Sequence, residues 1–301
     1  MESFSNIKMM TYPTVPLQFD LLKVGSCSHP ECVAMRGGSF QSIEFPSLVA
    51  LIDHPEQGLM LYDTGYSEHF FEATRSFPEA FYRKVTPVSF PPEECLLKQL
   101  DDRGVQPKDI ETILISHFHA DHISGLRNFP DAKLIATQAE QSACEKLGRL
   151  GRLRKAYLQD LLPDDFEERV TYVESLPKVP EALERIGFEE VYDLWGDQSM
   201  YAVNLPGHVE SQLGLIFQSS RLGPVFLVAD ACWKTEGLAE NRPPSRLAYS
   251  LFAENEDYNQ TFTALRNLQE EFCIIPSHCL TTFAKLGGTQ EVNRQLYPQF
   301  V

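Results

Sequence analysis

Three of the chain's eight histidines, His117, His119 and His122, fall within six consecutive positions, with Asp121 among them. Imidazole and carboxylate together suit zinc and its first-row neighbours. The stretch reads ISHFHADHISG and follows ETILI (111–115), an apolar run with the look of a buried strand. Side chains on an extended backbone alternate with period two, so His117 and His119 face the same way and can meet one ion. Asp121 and His122 come where the chain turns towards a helix, point elsewhere, and are placed for a second ion nearby. Three histidines and one aspartate do not fill two coordination spheres. Further donors stand at other strand ends. His208 follows MYAVNL (200–205) behind a turn at Gly207, Asp230 follows PVFLVA (224–229), and His278 follows FCIIP (272–276). Unpaired imidazoles and carboxylates in such places cost free energy, which metal binding would offset.

The elements that must position these residues are short apolar runs ending in turn or polar residues. SLVALI (47–52) and GLMLY (58–62) read as a strand pair. AKLIAT (132–137) and LGLIF (213–217) extend the series. Helical stretches lie between them, at 93–104, from Gln138 to about Leu162, at 180–187, and at 258–271, where Phe262, Leu265 and Leu268 recur on a helical period. The pattern predicts an α/β fold in which helices cover two packed sheets. No Pro/Gly/Ser-rich linker divides the chain, so residues 1–301 are expected to form one domain. The polar, helical segment at about 139–190 is expected to be an inserted cap.

A net charge of −16 disfavours a nucleic-acid substrate, because the protein repels phosphate backbones at long range. Seven cysteines are too scattered, and odd in number, for a disulfide framework. The first twenty residues carry no apolar signal segment, and apolar runs are far too short to cross a bilayer. These features predict a cytoplasmic protein with no membrane association.

The pattern His117-x-His119-x-Asp121-His122, followed by His208, Asp230 and His278, resembles the metallo-β-lactamase-fold hydrolase superfamily. The likeness runs from about residue 45 to 280 and includes the Asp-Thr-Gly turn in LYDTG (61–65). It implies an αβ/βα sandwich with the site at one sheet edge. It also implies that His117, His119 and His208 hold a first divalent ion, that Asp121, His122 and His278 hold a second, and that Asp230 bridges them. Zinc is the default ion; iron, manganese or cobalt suits the same donors. The implied chemistry is attack of a metal-bridging hydroxide on a carbonyl, with Asp121 orienting the hydroxide or passing a proton to the leaving group. Asp63 would accept a hydrogen bond from a ligand histidine.

Within the superfamily the likeness points to N-acyl homoserine lactonases, which share SHxHxDHxxG and an Asp-Ala-x-Tyr segment at the bridging aspartate. Here that segment is Asp230-Ala231-Cys232-Trp233, so an indole replaces the phenol that helps bind the lactone. Trp233 can donate one hydrogen bond to a carbonyl or form an apolar wall. The aromatic segment 66–82 offers Phe70, Phe71, Phe77, Phe81 and Tyr82 to an acyl chain.

The sequence thus predicts a dinuclear metal-dependent hydrolase that opens a lactone or related carboxylic ester. Its partner would be a small acyl-containing substrate, with a homodimer left open. One alternative is a thioesterase acting on acyl-CoA or acyl carrier substrates, for which the basic run Arg149, Arg152, Arg154 and Lys155 would matter. That run otherwise reads as a solvated helix face, or as the partner of DDFEE (164–168). A second alternative is a metalloprotein that binds an acyl ligand with little turnover. Cys27, His29 and Cys32 are one donor short of a structural zinc site.

Overall fold

The computed structural model describes residues 13–179, 187–245, 248, 255–287 and 292. One layer of strands is built from β1 (Pro16–Pro30), β2 (Ser42–His54), β3 (Gly58–Tyr62), the short β4 (Val88–Ser89), β5 (Ile110–Leu114), β6 (Lys133–Ala136) and β7 (Val170–Tyr172). The other holds β8 (Val191–Asp193), β9 (Met200–Asn204), β10 (Leu213–Ser219), β11 (Gly223–Ala229) and β12 (Cys273–Pro276). Among the described residues the two layers pair as strands only where Pro16 and Leu17 of β1 run beside Gln218 and Ser219 of β10. About that hinge they fold over to face each other.

Period-two alternation fills three apolar layers. Leu48, Ala50 and Ile52 of β2 point between the sheets, where they meet Ala202, Leu215 and Leu227. Val49 and Leu51 point outward, under α1 (Glu68–Ala73) and α2 (Leu96–Asp101), which contribute Phe70, Leu96 and Leu100. On the far side Val203, Ile216, Phe226 and Val228 are covered by Tyr258, Phe262 and Leu265 of a helix at Asn255–Asn267. Strands buried on both faces read as continuous apolar runs, which is why they were legible. The result is the α/β sandwich of two sheets between helices.

The longest strand, β1, is absent from the sequence expectation. Its text carries Pro at both ends and a Gly-Ser-Cys-Ser break, and the register with β2 shifts between Lys23 and Ser26. Gly25 sits in that shift at φ 78°, where an added Cβ would lie 3.0 Å from Tyr66. The helix expected at 93–104 is limited to Leu96–Asp101, and the one at 258–271 runs from Asn255 to Asn267. Residues 138–162 form two short helices, α3 (Gln138–Glu145) and α4 (Arg149–Arg154), rather than one long stretch. The candidate helix at 180–187 lies outside the described residues but for its last position.

Topology decides where the strand ends gather. β3, β5, β6 and β7 run parallel, so the residues after β3 and β5 emerge at one edge. β11 and β12 are parallel, and β9 is antiparallel to β10, itself antiparallel to β11. The ends of β9, β11 and β12 therefore share an edge too. Leu213 N–H to the Ser116 carbonyl (2.8 Å) and Leu48 N–H to the Ser277 carbonyl (3.0 Å) stitch the two edges together.

Candidate metal centre

Two groups of donors meet at the stitched edge. His117, His119, His208 and Asp230 offer ligand atoms that all lie within 4.8 Å of one another, and so do Asp121, His122 and His278. Asp230 stands between the groups. Its Oδ2 is 3.3 Å from His208 Nε2 and 3.0 Å from His278 Nε2, and its Oδ1 is 3.4 Å from His122 Nε2. Asp121 Oδ2 lies 3.5 Å from His278 Nε2.

Backbone geometry holds these side chains in place. His119 precedes a single helical turn at Ala120–Ile123, which carries Asp121 into the site and brings the His122 ring to 4.1 Å from that of His117. Gly207 takes φ 123°, and a Cβ there would stand 2.2 Å from the Tyr258 amide nitrogen, so the turn carrying His208 needs glycine. Asp63 (φ 64°) and Ala229 (φ 45°) adopt left-handed conformations that cost free energy in residues with a side chain. Both are next to the site.

Asp63 accepts three hydrogen bonds, from Ser116 N–H (2.7 Å), the Ser116 hydroxyl (2.8 Å) and His122 Nδ1 (2.7 Å). That bond keeps the proton of His122 on Nδ1 and turns Nε2 inward. The Pro46 carbonyl does the same for His278, accepting from Nδ1 at 2.7 Å. The donor set passes a direct test of fit to cations. His117 Nε2, His122 Nε2 and Asp230 Oδ1 are buried without a hydrogen bond. His119 Nδ1 and His208 Nε2 face each other at 3.1 Å. Buried atoms left in this way are costly, and a metal ion satisfies all of them.

Electrostatics divides the groups. Burial drives His117 and His208 well below the usual imidazole range. Burial likewise lowers His119 to about 4, and the Lys155 ammonium adds to the effect. Burial also opposes charge on His122 and His278, but nearby carboxylates outweigh it there. Asp63, Asp121 and Asp230 hold His122 well above its ordinary value, and Asp230 and Asp121 raise His278. Burial opposes the charge on Asp230 in turn, but His278, His122 and His208 keep its carboxyl well below the ordinary range.

His119, Asp121, His208, Asp230 and His278 form the floor of a cavity of about 530 Å³, with His117 and His122 buried behind them. Phe45, Tyr66, Phe81, Tyr82, Val85, Leu150, Leu153 and Trp233 supply its apolar walls, and Cys27 and His29 also reach it. Phe81, Tyr82 and Trp233 of the sequence-derived substrate residues therefore line the cavity. Phe70 and Phe71 do not. Phe70 is fully buried against Tyr66 and Tyr82, and Phe71 packs on Phe70 and Phe90. They face inward because α1 must cover the outer face of the first sheet. Phe77 is exposed and lies outside the lining. The Trp233 N–H donates to Asp230 Oδ2 at 3.0 Å, so it is directed at the carboxylate between the donor groups. Tyr66 and Phe45 were not anticipated. Each lies in a strand or turn that reads as core, and only tertiary packing turns one face of it to the cavity.

Two of the remaining histidines lie away from the cavity. His54 bonds the Ser199 hydroxyl, and His69 bonds Asn128. Asp165 of DDFEE pairs with Arg169 at 2.9 Å. Arg149 of the basic run makes a bidentate pair with Glu79.

A family model described as the metallo-beta-lactamase superfamily matches residues 43–278. The chain belongs to that superfamily. Among curated members, the N-acyl homoserine lactonase AttM of Azorhizobium caulinodans is 24% identical over 241 residues, 79% of this chain and 82% of that one. The N-acyl homoserine lactonase AiiB of Agrobacterium fabrum is 24% identical over 255 residues, 82% and 84% of the two chains. The solved structure of an N-acyl homoserine lactone hydrolase, with N-hexanoyl-L-homoserine at its catalytic metal centre, superposes with a TM-score of 0.70. It is 17% identical, with 90% of this chain and 97% of that one covered. The superfamily fold is therefore that of this chain. Among the described residues no helix is long and apolar enough to cross a membrane.

Proposed function

We propose that the protein is a dinuclear metal-dependent hydrolase that opens a lactone or a related carboxylic ester. The observation that carries this reading is the convergence of seven donors, six of them buried and three of their atoms without a hydrogen bond, at one sheet edge where five of them border a largely apolar cavity. His117, His119 and His208 would hold one ion, Asp121, His122 and His278 the other, and Asp230 both; zinc suits this set. Two such ions supply a water acidified towards pKa about 7 and an electrophile for the substrate carbonyl. The rest is done by the chain. Asp63 and the Pro46 carbonyl orient His122 and His278. Asp121, whose carboxylate borders the cavity, takes a proton from the attacking water and returns it to the leaving alkoxide. Phe81, Val85, Leu150 and Leu153 receive the acyl chain and keep bulk water from the carbonyl. The lactonase names of AttM and AiiB support the choice of ester over other superfamily chemistries.

The test is proton release from a long-chain acyl homoserine lactone by zinc-loaded protein, with Asp121→Asn as control. Turnover at least about a hundredfold above the control is expected. No turnover of lactones or simple esters, with two ions per chain confirmed, would sink the reading.

A further inference from the structure

The four cations of the basic run part company in the fold. Arg149 is held by both oxygens of Glu79, outside the metal cavity. Arg152 bonds the carbonyls of Cys144 and Glu145 and the Gln159 side chain, and its guanidinium stands 6.0 Å from the centre of the Tyr157 ring. These two act as structural clamps. Arg154 and Lys155 instead line the cavity whose floor is the metal centre. Arg154 is exposed and makes no ion pair among the described residues.

Their placement is built into the backbone. Ala156, the next residue, takes the left-handed conformation at φ 54°, a strained choice for alanine. Its carbonyl accepts from the Ala120 N–H at 3.0 Å, between the donors His119 and Asp121. The turn that ends α4 is thus tied to the metal loop itself, and it sets the two preceding cations on the cavity wall. Leu150, Val85 and Phe81, each more than half exposed, form an apolar lip on the same cavity. In a chain of net charge −16, cations beside an apolar lip on one cavity select for an amphipathic anion.

We propose that Arg154 and Lys155 form an anion subsite, and that the substrate is an acyl ester or lactone that also carries a carboxylate or phosphate group. The proposal rests on the hydrolase reading for the word substrate, but the subsite itself is a matter of binding. The acyl chain lies along Phe81, Val85 and Leu150, and the anionic group meets the cations on the same cavity wall.

The experiment compares kcat/KM of zinc-loaded protein for three esters of one acyl-chain length: neutral, carboxylate-bearing and phosphate-bearing. A preference of about tenfold or more for one or both charged esters is expected, falling as salt rises. The double variant Arg154→Gln/Lys155→Gln should lose that preference, while Arg149→Gln keeps it. The preferred charged ester separates carboxylate from phosphate. No preference in the wild type, or a preference that survives in the double variant, overturns the proposal. If no ester is turned over, the hydrolase reading falls and calorimetry decides the subsite. Alkyl carboxylates or alkyl phosphates binding about tenfold tighter than the matching alcohol, with the gain lost in the double variant, would sustain it. Equal binding of alcohol and anions would end it. Circular dichroism and metal content of each variant exclude misfolding as the cause.

Discussion

His117, His119 and His208 on one side of Asp230, and Asp121, His122 and His278 on the other, use the same chemical groups in different surroundings. The first group has three imidazoles and no carboxylate but the shared Asp230, and burial keeps its rings neutral. The second has Asp121 within it and Asp63 behind His122, and its rings are held towards the cationic form. Each group is also backed by a buried carboxylate at a different remove. Asp63 bonds the His122 ring directly. Glu140 meets the loop carrying His208 at its backbone, accepting from Ser211 N–H at 3.4 Å, and also accepts from the Cys144 thiol at 3.4 Å. The difference teaches that a carboxylate touching a ligand tunes the ligand, whereas one touching the backbone behind it mainly burdens the fold.

Asp230→Asn should break the contrast altogether, since it removes the charge both groups share. Turnover should fall by about 10³-fold or more, with fewer than two ions retained per chain by metal analysis. Retention of two ions with near-normal turnover would mean that Asp230 bridges nothing.

Glu140→Gln should act on stability rather than on metal. Burial raises the Glu140 carboxyl from 4.5 to about 7, so the folded state binds its proton more tightly than the unfolded state does. Folding stability therefore declines as pH rises from about 4.5 through 7, by up to about 3 kcal/mol. The glutamine variant should gain that amount over wild type at pH 8 in urea unfolding and gain nothing near pH 4.5. An equal gain at both values would remove the linkage.

Asp63→Asn should weaken binding of one ion by about 10–100-fold while the other remains. A calorimetric titration with two resolved sites would show which one. Equal loss at both sites would erase the distinction between the groups. The smallest effect concerns protons. His122 and His278, held towards the charged form, must lose protons when an ion binds, so affinity at the second group should rise with pH. Release of about one to two protons on loading near pH 7 is expected from calorimetry in buffers of differing ionisation enthalpy. Zero release would place both groups in the same state.

Much of the scaffold was readable because its strands are buried on both faces and so stand out as apolar runs. GLMLY coincides with β3, and PVFLVA lies within β11. The break at Gly25 hid β1, because a bulge interrupts the period that marks a strand. The donor residues were readable because buried polar side chains at strand ends are rare. The cavity walls were less so. Phe70 and Phe81 belong to one aromatic segment, yet Phe70 is in the core and Phe81 on the lip. Aromatic composition does not say which side of a short helix meets a sheet.

The sequence by itself determined the donor types, their attachment to strand ends and the alternating layers, because each depends on local spacing and on the cost of burying polar groups. Tertiary structure decided the rest. The fold about Pro16 and Leu17 brings the ends of β9, β11 and β12 against those of β3 and β5, so donors up to 161 positions apart, from His117 to His278, meet at one edge. The left-handed turn at Ala156 set two of four similar cations on the cavity wall and left two outside. Neither result is encoded in nearest neighbours, because each depends on contacts between segments far apart in the chain.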